Sequence, residues 1–119
     1  MAVSDDERAG VLDWRTRIDA AHPALPGHFP GAPVVPGVVL ITEVLRAAHA
    51  LLDPAPTVRA FPTIKFLAPV LPGEPLRVIL EPGTHGRIRF TVQRDSVDHP
   101  ESVATGLMQC DAAPPERAW

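Results

Sequence analysis

The stretch that decides the fold is Pro26–Arg46, PGHFPGAPVVPGVVLITEVLR. Its first half is rich in proline and glycine. Because proline fixes φ and glycine permits tight turns, this half predicts a rigid loop that holds His28 at a fixed place. Pro36 and Gly37 then open a helix, whose first N–H groups have no acceptor within the helix and lie at the positive end of its dipole. Such a helix start can receive a carbonyl oxygen that gains negative charge.

The residues after Pro36 predict a helix over 37–52. Apolar residues occupy most of its circumference, which indicates a helix buried on several sides. The exceptions fall within about 60° of one another at 100° per residue, so they form one polar stripe. The stripe consists of Thr42, Arg46, His49 and Asp53. Glu43 falls at the edge of the stripe, about 60° from Arg46.

Strand patterns lie on both sides of this helix. Before it, residues 12–18 alternate apolar and polar side chains with a period of two. After it, four segments predict strands, and the turn EPGTHGR at 81–87 predicts a hairpin. These segments are 58–66, with a bend at Pro62, then 76–80, 88–92 and 102–110.

This order of elements contains no strand–helix alternation, which argues against a parallel sheet. It predicts an α+β fold in which one long central helix is wrapped by a single antiparallel sheet of about five to six strands. Because such a sheet covers one side of the helix only, we expect a homodimer.

Length and composition indicate one domain in 119 residues. We expect a flexible N-terminus over 1–10, the domain over 11–112 and a tail over 113–119. The net charge of -3 and the lack of adjacent basic residues argue against nucleic-acid partners. The apolar stretches are too short for membrane insertion, and the N-terminus lacks the apolar region of a signal peptide. The single cysteine, Cys110, excludes an internal disulfide, so we expect a cytoplasmic protein.

The loop and helix start resemble the signature of the FabA/FabZ-type 3-hydroxyacyl-[acyl-carrier-protein] dehydratase family, including its ApeI-like relatives. That pattern is G-H-F-x-G-x-P-x-x-P-G-V followed by a helix, and the match here has no gap. The matching residues are Gly27, His28, Phe29, Gly31, Pro33, Pro36, Gly37 and Val38. The segment IKFLAPVLPGEPL, residues 64–76, is similar to the family's strand–turn–strand segment. The resemblance covers nearly all of residues 11–111 and implies a hot-dog fold.

The resemblance also implies an activity. His28 would take the α-proton of an acyl thioester, and the Gly37 N–H would bind its carbonyl, with Phe29, Pro36 and Val38 beside the substrate. A 3-hydroxyacyl thioester on acyl carrier protein would lose water to give the trans-2-enoyl thioester, in fatty-acid or specialised lipid, polyene or pigment synthesis. We expect no cofactor and no metal, because the thioester itself acidifies the α-proton. The acyl chain would enter between the subunits of a homodimer, and higher oligomers stay open.

One position departs from the family pattern. Thr42 stands where the dehydratases have an Asp or Glu, Glu43 comes one residue later, and Arg46 replaces the usual Gln. Thr42 has no useful acidity, so it would only orient the hydroxyl or a water. Glu43 is the other candidate for the second catalytic group, and Arg46 is a candidate for binding an anionic part of the substrate. Two alternatives therefore stay open: a hot-dog acyl thioesterase that uses Glu43, and a non-catalytic acyl-binding or partner subunit.

Overall fold

The computed structural model describes residues 10–19, 34–95 and 100–111. His28 and Phe29 lie outside these ranges, as do the predicted flexible N-terminus up to residue 9 and the tail from 112. The described elements follow the order strand, helix and four strands. They are β1 (Leu12–Thr16), α1 (Gly37–Leu51), β2 (Val58–Phe66), β3 (Leu76–Pro82), β4 (Arg87–Arg94) and β5 (Glu101–Cys110).

All five described strands form one sheet in the order β1-β3-β4-β5-β2, and every neighbouring pair is antiparallel. The first two strands of the chain are therefore the two edges of the sheet. The helix between them must cross from one edge to the other. This confirms the predicted α+β arrangement of one helix on one antiparallel sheet.

The core lies between α1 and one face of the sheet. Alternate residues of β3 and β4 point to the helix because successive strand side chains face opposite sides. These inward residues are Leu76, Val78, Leu80, Ile88, Phe90 and Val92, all buried. The helix turns Val39, Leu40, Val44, Ala47 and Ala48 toward them. The helix packs mainly on β1, β3 and β4, so the β2 end of the sheet extends beyond it.

Two local features agree with the sequence signals. The pairing of β2 with β5 shifts register between Ala60 and Thr63, beside Pro62, as expected for a proline on an edge strand. The hairpin between β3 and β4 turns through His85 (φ 60°) and Gly86 (φ 77°). In the described ranges, no helix is long and apolar enough to cross a membrane.

Candidate active site

The start of α1 is fixed by backbone hydrogen bonds on both of its sides. Pro36 is extended, with φ −63° and ψ 147°, which suits the φ that the proline ring imposes. Its carbonyl accepts hydrogen bonds from the N–H groups of Val39 at 2.9 Å and Leu40 at 3.4 Å. One residue earlier, the Val35 N–H donates to the Val70 carbonyl at 2.8 Å. The helix start is thereby attached to the loop that follows β2.

An apolar cavity of about 390 Å³ opens beside this helix start. One wall belongs to the helix and the residues before it: Val34, Val35, Gly37 and Leu40. The opposite wall is the end of β2 and the loop after it, Phe66, Leu67, Ala68, Pro69 and Val70. The side chains on both walls are apolar, and Gly37 brings the backbone of the helix start to the cavity. Such a cavity suits a ligand with an apolar chain and a carbonyl at one end.

Gly37 and Phe66 are in close contact at the end of this cavity. A Cβ added to Gly37 would lie 2.6 Å from the Phe66 Cζ atom and 2.9 Å from each of its Cε atoms. The ring therefore occupies the space that any other residue's side chain would need. A larger residue at the first helical position would therefore require the Phe66 ring to move.

The loop on the far wall is held by Arg94, the last residue of β4. Its Nη2 donates to the Pro69 carbonyl at 2.5 Å, and its Nη1 donates to Glu74 Oε1 at 2.5 Å. Its Nε donates to Glu101 Oε1 at 2.8 Å. The pKa of Arg94 is raised, mainly by the hydrogen bond to Glu101. Burial lowers the pKa, and the hydrogen bond to Glu74 raises it further. The guanidinium stays charged, and its three hydrogen bonds connect the loop to the ends of β4 and β5.

Glu43 points inward, toward the sheet. It is 5% exposed, although the helical pattern places it at the edge of the polar stripe. The Thr16 hydroxyl of β1 donates to its Oε1 at 2.6 Å, and Arg46 Nη1 donates to its Oε2 at 3.0 Å. A buried carboxylate needs such partners to offset its lost hydration. Both oxygens of Glu43 are thus engaged within the protein.

Thr42 and Arg46 point outward, as the polar stripe predicts, and so do His49 and Asp53. The Thr42 hydroxyl donates its hydrogen to the Val38 carbonyl one turn earlier at 2.9 Å. The lone pairs of the hydroxyl oxygen can therefore accept a hydrogen bond on the outward side of the helix. The Arg46 side chain is 65% exposed, with one of its nitrogens on Glu43. Among the described residues, Glu43 is the hydrogen-bond partner of this guanidinium.

The structure thus brings some of the predicted site residues together and separates others. Pro36, Gly37, Thr42 and Arg46 follow one another along the helix, but only Gly37 among them lines the cavity. Val38 is 70% exposed and lies outside the cavity lining. His28 and Phe29 lie outside the described residues, so their roles stay predictions. Within the described ranges, no group of three His, Cys, Asp or Glu side chains is placed to hold a metal ion.

The sequence did not point to the far wall, residues 66–70. Phe66, Leu67 and Leu71 are half exposed, which is unusual for large apolar side chains grouped around a cavity. The segment IKFLAPV did indicate where β2 ends, because Pro69 interrupts its mostly apolar run and a strand cannot continue through it. It gave no information on what the run faces.

One helix packed on a five-stranded antiparallel sheet in this strand order is the hot-dog fold, which the chain shares with the solved dehydratase and hydrolase described below. The family is narrower than the fold. Residues 4–106 match the model of the ApeI-like family, described as ApeI dehydratase, so the chain belongs to that family.

One of the curated relatives is also named as a dehydratase. The 3-hydroxyacyl-[acyl-carrier-protein] dehydratase FabZ of Gluconacetobacter diazotrophicus is 40% identical over 73 residues, which cover 54% of this chain and 45% of the relative. The chain spans about half or less of the length of the curated relatives it matches.

Two solved structures share the fold. The dehydratase heterocomplex ApeI:P of Xenorhabdus doucetiae contains a chain with a TM-score of 0.72 and 24% identity, over 85% of this chain and 87% of that one. An acyl-CoA hydrolase of Staphylococcus aureus, solved in complex with coenzyme A, has a TM-score of 0.71 and 14% identity, over 92% of this chain and 68% of that one.

Proposed function

We propose that the chain dehydrates a 3-hydroxyacyl thioester carried by acyl carrier protein, giving the trans-2-enoyl thioester and water. The observation that carries this proposal is the apolar cavity of about 390 Å³ that opens on Gly37 at the start of α1. It offers an apolar path for an acyl chain and a backbone donor for the thioester carbonyl. Membership of the ApeI-like family supports the same reaction.

The chemistry needs a base at the α-carbon and a donor at the carbonyl. His28 is the proposed base: it takes the α-proton while the Gly37 N–H stabilises the charge that develops on the carbonyl oxygen. The electron pair then forms the α–β double bond, and the β-hydroxyl leaves as water with the proton that His28 took from the α-carbon. Phe29, Pro36 and Val38 are proposed to border the substrate. No cofactor or metal takes part in this scheme.

The second catalytic group is the specific feature of this chain. Glu43 is nearly buried and bonded through both oxygens, which argues for a positioning role toward Arg46. Thr42 is exposed, and its free lone pairs can accept a hydrogen bond from the β-hydroxyl or from a water. We therefore propose that Thr42 orients the leaving hydroxyl, and that Arg46 binds an anionic part of the acyl group or the carrier phosphate.

We further propose that residues 11–112 form a single domain and act as a homodimer in the cytoplasm. The outward side of α1 supports this assembly, since Val38 and the polar stripe are exposed on it. The ApeI:P structure is a heterocomplex, so a different partner chain in place of a second copy is the alternative that native mass spectrometry would detect.

The two alternatives, a thioesterase and a non-catalytic subunit, predict different results in an activity assay. A thioesterase would release free thiol without enoyl product, and it would need Glu43 to activate water, which its two internal hydrogen bonds oppose. A non-catalytic subunit would bind acyl thioester and form neither. These outcomes give a direct test.

The test uses purified protein and a 3-hydroxyacyl carrier-protein thioester, with enoyl product and free thiol followed in the same reaction. We expect enoyl product that His28→Ala abolishes, and no free thiol. We expect Thr42→Val to slow the reaction by about 3- to 10-fold, the value of one hydrogen bond. Free thiol without enoyl product would contradict the proposal, and so would an unchanged rate in His28→Ala.

A further inference from the structure

We propose that Phe66 determines which acyl groups the cavity accepts, by excluding substituents on the α-carbon. Straight-chain thioesters would bind, and α-branched ones would be rejected. This inference rests on the proposed function, because it takes the Gly37 N–H as the donor to the thioester carbonyl.

The first support is the position of the ring. Three atoms at the tip of Phe66, Cζ and both Cε atoms, lie within 2.9 Å of the place where a side chain on Gly37 would begin. The ring belongs to β2, while Gly37 begins α1, so this contact joins two separate elements across the cavity. The ring therefore lies beside Gly37, the residue that carries the proposed carbonyl donor.

The second support is the exposure of the same ring. Phe66 is 53% exposed, although its tip is in close contact with the helix. Covering exposed apolar surface lowers the free energy, so the exposed part of the ring favours contact with an apolar ligand. A ring that only completed the core would be buried, as Phe90 is.

The third support is the geometry of a thioester. A carbonyl oxygen bonded to the Gly37 N–H lies about 3 Å from that nitrogen. The sulfur leads outward to the carrier, so the α-carbon is directed into the cavity that Phe66 lines. A hydrogen on the α-carbon can pass the ring, whereas a methyl group there requires volume that the ring already fills. At a well-packed site, one extra methyl group on a ligand changes the preference between the two ligands by about 10- to 200-fold.

The experiment measures binding of two saturated pantetheine analogues in which CH2 replaces the sulfur, one hexanoyl and one 2-methylhexanoyl. Neither can be dehydrated or hydrolysed, so titration calorimetry reports binding alone. We expect the native sequence to prefer the straight chain by about 10-fold or more. We expect Phe66→Ala to bind both analogues within about 2-fold of each other, and Phe66→Leu to fall between.

Leu71→Ala is the matched control. Leu71 is 52% exposed and lies in the same loop region, but it does not line the cavity. It should keep the native preference, and denaturant unfolding of all three variants checks that they are folded. If Phe66→Leu and Phe66→Ala both keep the native preference, or if the native sequence has none, the proposal is overturned.

These results are independent of catalysis. A clear preference in a protein that forms no enoyl product would support the role of Phe66 and refute the lyase. Equal binding of the two analogues in a protein that does form enoyl product would do the reverse. If neither analogue binds, the proposed role of Phe66 fails, while enoyl formation alone decides the lyase.

Discussion

The Thr16 hydroxyl donates a 2.6 Å hydrogen bond to the Glu43 carboxylate, and this contact joins the edge strand β1 to the central helix. The two residues are 27 positions apart in the sequence. Glu43 is nearly buried, so the hydrogen bond compensates a charge that has lost its water. The contact also fixes the rotation of the helix, which determines that Thr42 faces outward.

Replacing Thr16 with Val should therefore destabilise the fold. The substitution keeps the shape of the side chain but leaves one carboxylate oxygen of Glu43 without its donor. We expect the free energy of unfolding to fall by about 1–3 kcal/mol, the cost of removing a partner from a charged buried group. Urea unfolding followed by circular dichroism measures it.

Thr63→Val is the control for this change, because Thr63 is an exposed residue on the opposite edge strand and should cost little. In a double-mutant cycle, Thr16→Val should cost much less once Glu43 is replaced by Met, which has a similar length and no oxygen to accept the hydrogen bond. Equal costs in both backgrounds would show that the hydrogen bond does not contribute.

The sequence predicted the elements of the fold because their signals are local. The period of two in β1, the apolar circumference of α1 and the proline in β2 each depend on neighbouring residues, and each agrees with the structure. The orientation of Glu43 was not predictable in the same way. A helical wheel gives the angle between Glu43 and Arg46 but not the side on which β1 lies. That side depends on a strand order set by pairing across the whole chain.

The cavity illustrates the same limit. The family resemblance predicted Gly37 as the carbonyl donor; Gly37 lines the cavity, and its role as donor stays a prediction. Phe66 was not predicted, because its contact with Gly37 depends on where the end of β2 meets the helix. Contacts between residues so far apart in sequence require the register of the sheet, which single-residue patterns do not contain.

Replacing Gly37 with Ala should disturb both stability and ligand binding. The new Cβ would overlap the tip of the Phe66 ring, and overpacking of this kind costs about 1–3 kcal/mol. Alanine is the better helix former by up to about 1 kcal/mol, which offsets part of the loss. Denaturant unfolding and binding of the straight-chain pantetheine analogue measure the two effects.

The double variant Gly37→Ala with Phe66→Ala separates the two contributions. With the ring removed, the alanine at position 37 should be neutral or stabilising, giving a coupling of about 0.5–3 kcal/mol between the two sites. An additive loss would mean that the ring moves aside without cost.

Cys110 should react slowly with alkylating agents and should make the fold sensitive to alkaline pH. Burial raises the pKa of the Cys110 thiol, and the nearby charge of Asp111 adds to that effect. The folded state therefore disfavours the thiolate. This contribution to stability is complete below the thiol's ordinary pKa of about 8.5 and is lost as pH rises toward the folded-state pKa.

Urea unfolding at pH 7 and pH 10 measures this effect. The native sequence should lose more stability between the two pH values than Cys110→Ala does, since the alanine variant lacks the titrating thiol. Iodoacetamide labelling should accelerate when the protein is unfolded. An equal loss in both proteins would refute the assignment.

Arg94 should control the mobility of the cavity wall. One guanidinium bonds the Pro69 carbonyl, Glu74 and Glu101, and a lysine ammonium at the same position has neither the planar fork nor the reach to keep all three. In Arg94→Lys we expect backbone amides 70–74 to exchange hydrogen for deuterium about 10-fold or more faster, with weaker binding of the straight-chain analogue as the wall loosens.

Arg59→Lys, at the exposed pair with Asp111, is the matched control and should leave the exchange of amides 70–74 unchanged. Because charge is conserved in both variants, faster exchange in Arg94→Lys alone would identify the three-way hydrogen bonding as the cause. Unchanged exchange there would show that the backbone hydrogen bonds from Val35 to Val70 and from Gly73 to Ile18 are sufficient to hold the wall.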